Sequence, residues 1–97
     1  KNPVKNNYSD HVYHQYSILL DSDISRDDFQ KYLSDNGIPS MIYYPIPLHK
    51  QKAYYKYSNA VLPVSEMVSK KIISLPIHPE MEMDQMEFIC DKIQKYN

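Results

Sequence analysis

A chain of 97 residues is bounded to a single domain with one modest core. Its net charge is −1 with acids and bases interspersed, so the electrostatic footprint of a nucleic-acid binder is absent. No apolar run approaches the roughly 20 residues that span a bilayer, and the single cysteine, Cys90, excludes an internal disulfide and suits a reducing, cytoplasmic setting.

The chain opens Lys1-Asn2-Pro3, without an initiator Met or a signal peptide, and reads as the middle of a longer protein. Residues 1–10 are polar, lack periodicity and read as a linker or entry segment. The next stretch, 11–20, has the aromatic and aliphatic weight of a strand. Its face of Val12, His14, Tyr16, Ile18 and Leu20 is the more apolar one and should look inward. A turn over 21–24 precedes a well-signalled helix. Ser25 is the N-cap, with Asp28 placed to complete a capping box and Ile24 and Phe29 at the staple positions. Asp27 and Asp28 suit the positive end of the helix dipole. Phe29, Tyr32 and Leu33 form the buried stripe, and Gly37, the one glycine of the chain, ends the helix as its left-handed C′ residue.

Three of the seven prolines follow close together, at 39, 45 and 47. Each fixes its own φ and biases the residue before it towards extended backbone. The pattern predicts a short strand over 41–44, running into a stiff arm over 45–47 that holds Tyr43, Tyr44 and His49 in place. The residues alone leave two uses open for this arm: a rigid connection packed on the core, or a ligand-facing wall. Residues 51–57 read as a short helix or helical turn and 58–62 as a loop. Pro63 opens a helix with Val64, Met67, Val68 and Ile72 on its apolar side. Residues 73–75 form a short strand stopped by Pro76, and 77–79 turn the chain. The last helix runs over 83–96, with Glu82 as cap, Gln85 at N3, and Met86, Ile89, Cys90 and Ile93 at helical spacing. The sum is an α+β fold: a few-stranded, mainly antiparallel sheet with helices packed on one face.

Known chemistries find few footholds. His11 and His14 would point to opposite faces of a strand, and no His or Cys pair has the spacing of a structural zinc site. Cys90 falls on the apolar stripe of the last helix, where a small core residue suffices. One glycine cannot build a phosphate-cradling loop. Ten tyrosines and no tryptophan suit core edges and interfaces, so a stand-alone tyrosine-rich binding module is an alternative reading.

The run Gly37-Ile38-Pro39-Ser40-Met41-Ile42-Tyr43-Tyr44-Pro45-Ile46-Pro47-Leu48-His49 resembles a signature of the DegT/DnrJ/StrS sugar aminotransferases. Three further pieces fit in order: Val12-Tyr13-His14-Gln15-Tyr16, Leu62-Pro63-Val64-Ser65-Glu66, and Ser74-Leu75-Pro76-Ile77-His78-Pro79. The resemblance covers about 10–96 and matches the C-terminal end of that family. It implies that residues 11–97 are the C-terminal small domain of a fold-type I aminotransferase. The full enzyme would use pyridoxal 5′-phosphate to move an amino group, from glutamate, to a nucleotide-linked keto-sugar, in amino-sugar or polysaccharide biosynthesis. The Schiff-base lysine and phosphate site belong to the N-terminal large domain, so this chain holds no catalytic or cofactor-binding residue by that reading and is inactive alone. Its expected contribution is substrate contact by Tyr43, Tyr44 and His49. The family often carries His where this chain has Tyr43, which removes an imidazole but keeps a hydrogen-bonding phenol. The same resemblance implies a homodimer.

Overall fold

The computed structural model describes residues 1–96. The domain expected over 11–97 therefore ends one residue outside them. Two strands, β1 (Tyr16–Leu19) and β2 (Ile72–Leu75), pair antiparallel with Tyr16 opposite Leu75 and Ile18 opposite Ile73. Between them lie helix α1 (Arg26–Asp35), two 3₁₀ turns (Leu48–Lys50 and Lys52–Tyr57) and helix α2 (Pro63–Lys71); helix α3 (Met83–Gln94) follows β2. The α+β reading holds.

Strand alternation sets the core. Ile18, Leu20 and Ile73 point to one side, where Phe29 and Leu33 of α1 and Ile38 meet them. Ile89 and Ile93 of α3 close the same side, and Tyr96 packs there edge-on to Phe29 with centroids 4.9 Å apart. The Tyr32 hydroxyl donates to the Lys92 carbonyl at 3.0 Å, tying α1 to α3. The opposite side of the sheet is more polar at its centre, where the Ser17 and Ser74 hydroxyls hydrogen-bond at 2.8 Å.

Helix α1 begins as its sequence specifies: Asp28 N–H donates to Ser25 Oγ at 3.4 Å. The return bond to the Asp28 carboxylate is absent among the described residues, so only half of the expected box forms. Its end is a Schellman motif. Gly37 N–H donates to Ser34 C=O and Ile38 N–H to Leu33 C=O, both at 2.9 Å, with Gly37 at φ +74°. Ile38 and Leu33 are both buried, which supplies the hydrophobic contact of that motif. Helix α3 starts on the Glu82 N–H, which donates to Gln85 Oε1 at 3.0 Å.

Four expectations are corrected. The first strand covers 16–19 rather than 11–20, because β2 offers only four residues to pair. Upstream, Tyr13 N–H donates to His11 Nδ1 at 2.9 Å and the two rings stack, turning the chain at Tyr13 with φ +45°. Val12 is consequently 85% exposed and His14 is exposed, so neither faces the core. The strand over 41–44 contracts to one bridge, Met41 to Ser74, on the free edge of β2; nearby Pro39, Pro45 and Pro47 have no N–H to extend a ladder. Ile72 opens β2 instead of completing the stripe of α2. On α3 only Ile89 and Ile93 reach the core; Met86 and Cys90 are exposed and line an open apolar cleft beside Tyr16, and the helix ends at Gln94 rather than 96.

Candidate functional site

The site is built where the chain leaves the sheet. Gly37 reverses the chain out of α1, Ile38 anchors it in the core, and Met41 exchanges both backbone bonds with Ser74, at 3.1 and 2.7 Å. Beyond Met41 the chain projects as an arm. Tyr43 and Tyr44, joined by a cis peptide bond, place their rings edge to face with centroids 5.7 Å apart. Tyr43 is half-buried and Tyr44 is 69% exposed.

The arm returns through Pro47, whose extended backbone leads into the first 3₁₀ turn. That turn carries His49 inward, to 7% exposure. A buried imidazole needs a hydrogen-bonding partner, and Glu66 in the first turns of α2 supplies it, with Nε2 to Oε1 at 3.0 Å. The same carboxylate oxygen accepts from the Leu62 N–H at 3.3 Å, and Lys50 Nζ lies 3.9 Å away. The His49 bond foremost, and then the Leu62 N–H, hold the Glu66 carboxyl below the usual carboxylate range.

Arm and α2 face each other across a cleft of about 580 Å³. Tyr43, Tyr44 and Leu48 form one wall; Ser65, Val68 and Ile72 form the other. On the far side of Tyr43 a second cleft, of about 330 Å³, also meets His14 and His78. Tyr43 is thus a partition between two concavities. The four sequence motifs, distant along the chain, converge here in two groups: His14, Tyr43 and His78 around the smaller cleft, and His49 bonded to Glu66 behind the larger one.

Of the three residues expected to contact substrate, Tyr43 and Tyr44 line the larger cleft, and His49 sits behind it against Glu66. In the sequence Glu66 is marked only as the end of the Leu62–Glu66 motif, with no role of its own. Its task could have been found from the need of a buried histidine for a partner, had the burial of His49 been visible. Among the described residues, no lysine and no carboxylate lines either cleft. Pyridoxal chemistry needs a Schiff-base lysine and an acidic partner for the ring nitrogen, so the residues of these clefts do not fit that cofactor. Among the described residues, no three His, Cys, Asp or Glu side chains group closely enough to hold a metal ion. No helix among them is long and apolar enough to cross a membrane.

The described residues form a small α+β fold that presents a proline-bracketed tyrosine arm beside two open clefts. The chain belongs to the DegT/DnrJ/EryC1/StrS aminotransferase family, whose sequence profile it matches over residues 1–94. It is 38% identical over 88 residues to a pleiotropic regulatory protein of Geobacillus stearothermophilus, covering 89% of this chain and 23% of that protein. It is 36% identical over 86 residues to dTDP-3-amino-3,6-dideoxy-alpha-D-galactopyranose transaminase of Aneurinibacillus thermoaerophilus, again 89% of this chain and 23% of the relative. Its fold matches the crystal structure of S. venezuelae DesV in complex with a ketimine intermediate, with a TM-score of 0.84 and 28% identity, over 97% of this chain and 25% of that one. The chain therefore spans about a quarter of the length of the proteins it matches.

Proposed function

We propose that this chain is the substrate-facing C-terminal domain of a pyridoxal-phosphate-dependent sugar aminotransferase. The full-length protein transfers an amino group from glutamate to a keto-sugar carried on a nucleotide, releasing 2-oxoglutarate. Pyridoxal 5′-phosphate, held by an N-terminal large domain, supplies the electron sink for that exchange. This chain contributes shape and hydrogen bonds. The observation that carries the reading is the placement of Tyr43 and Tyr44 on one wall of an open cleft with no lysine or carboxylate of its own. The two phenols donate hydrogen bonds to sugar or phosphate oxygens, and their rings exclude water from the reacting end. Family membership and the transaminase relative of A. thermoaerophilus support the same activity.

In this reading residues 1–10 link to the large domain and 11–97 form the small one. The enzyme works as a homodimer in the cytoplasm, and its amino-sugar product feeds surface polysaccharides or glycosylated natural products. The test is to incubate the full-length protein with glutamate and a panel of nucleotide-linked keto-sugars, and to follow 2-oxoglutarate. Release of 2-oxoglutarate that depends on the keto-sugar is expected. Binding of a nucleotide-sugar with no amino transfer across the panel would favour a binding module instead.

A further inference from the structure

We infer that His49 and Glu66 form a clamp that sets the separation of arm and α2, and so positions Tyr43 and Tyr44 across the cleft; this rests on the reading of the arm as a substrate wall. Among the described residues, two hydrogen-bonded ties join the ends of the arm to the sheet and to α2. One is the Met41–Ser74 bridge at its start. The other is the His49–Glu66 bond at its end. Among the described residues, no backbone hydrogen bond joins residues 42–46 to another element. The proline-stiffened segment therefore behaves as a bar held at both ends.

The clamp residues are the immediate neighbours of wall residues. His49 follows Leu48 on the arm side, and Glu66 follows Ser65 on the α2 side. A change in the spacing of His49 and Glu66 is thus passed directly to both walls. The burial of His49 in the described chain turns its imidazole away from the cleft and into this bond. Glu66 is further fixed by the Leu62 N–H at the entrance of α2. Lys50, the other charged group facing it, is itself tethered through Nζ to the Ser58 carbonyl. These ties make His49 and Glu66 positioning residues that act through the tyrosines without touching the substrate.

The experiment compares the full-length protein with its His49→Ala, Glu66→Ala, double and Glu66→Gln variants. Hydrogen exchange is measured on each, together with kcat and KM for the nucleotide keto-sugar. In the alanine variants, exchange should quicken at the end of the arm, at the hydrogen-bonded amides of Lys50 and Gln51, and at the start of α2, while α1 and β2 keep their protection. KM should rise about tenfold as the two tyrosines lose their fixed spacing from α2, with kcat nearly unchanged. The double variant should be no worse than either single one, because both remove the same bond. Glu66→Gln keeps an acceptor oxygen for the imidazole and should restore most of the affinity. Unchanged exchange in the arm overturns the clamp, as does exchange that quickens equally in α1 and β2. Faster exchange in the arm with an unchanged KM overturns its positioning role. Absence of amino transfer by the unsubstituted protein defeats the functional reading instead, and the exchange pattern then judges the clamp alone.

Discussion

Tyr44 and Tyr43 differ from every other tyrosine of the chain in standing together on a proline-bracketed arm above an open cleft. Tyr44→Phe removes a hydroxyl and leaves the ring. Because that ring is mostly exposed, stability should hold. Substrate binding by the full-length protein should weaken by about 0.5–1.5 kcal/mol, more if a charged phosphate is the partner. A thermal melt and a substrate titration, run on Tyr44→Phe and Tyr43→Phe, separate the two roles. Early melting with normal binding would return the arm to a mere connection. Glu66 makes a second prediction at this scale. Its carboxyl is held below its ordinary value of 4.5 by the bond to His49 and then by the Leu62 N–H. A carboxyl whose folded value lies below its unfolded one stabilises the fold fully above the unfolded value, and that contribution is lost as pH falls through the folded one. The native protein should therefore melt above Glu66→Gln at pH 6, and the gap should close on acidification below about 4.5. A gap independent of pH would mean that the carboxylate charge contributes nothing. The tyrosine arm and its prolines were legible in the sequence. The His49–Glu66 bond was not, because its partners lie 17 residues apart and only the fold brings them together.

At the scale of the element, local chemistry was a good guide wherever a segment satisfies itself. Helix α1 carries its own start at Ser25, its own stripe at Phe29 and Leu33, and its own stop at Gly37; all three act as read. Gly37 has open space where a Cβ would stand, so the cost of a side chain there is conformational alone. Gly37→Ala should destabilise the fold by about 1 kcal/mol, measured by denaturant melting. A loss near zero would indicate that the backbone escapes the left-handed region without disturbing Ile38. Strands were read less well, because a strand is defined by its partner. Tyr13, Tyr16, Ile18, Leu19 and Leu20 all favour extended backbone, yet β1 is only as long as β2 permits. Likewise residues 41–44 have strand-like composition, and a single bridge forms on the free edge of β2. On α3 the apolar spacing was genuine, but it covers a wider face than the sheet can bury, so Met86 and Cys90 stay outside the core.

At the scale of the whole molecule, the described chain exposes more than a self-contained domain does. Its accessible surface is 7662 Å², against about 5,800 Å² for a folded monomer of this mass. Its radius of gyration is 15.5 Å, against about 12.5 Å for a compact domain of this length. The exposed apolar side chains include Met41, Tyr44, Ile46, Leu48, Tyr55 and Val64, which lie along the arm, the second 3₁₀ turn and the start of α2. Such a surface fits a domain that lies against a larger body, as the proposed enzyme requires. The corresponding prediction concerns the 97-residue chain alone. Added pyridoxal 5′-phosphate should produce no stoichiometric absorption band near 400–430 nm, roughly where Schiff bases of this cofactor absorb. A band abolished by one lysine substitution would show that the chain carries a cofactor lysine after all.

The sequence by itself determined the features that depend on near neighbours. These are the caps and stop of α1, the proline start of α2, the stiffness of the arm, the inward alternation of Tyr16, Ile18 and Leu20, and the four motifs that mark the family. The motifs mark the family by resemblance; the others rest on dihedral preferences, side-chain alternation or hydrogen bonds within a few residues, which any fold of this chain must respect. The tertiary structure decided where β1 ends, which face of α3 is buried, and that His49 turns to Glu66 while Tyr43 divides two clefts. Those outcomes depend on partners brought together from distant positions, and on how much surface a two-stranded sheet can cover. Periodicity shows that a side chain shares a face with its neighbours; only packing shows what lies opposite that face.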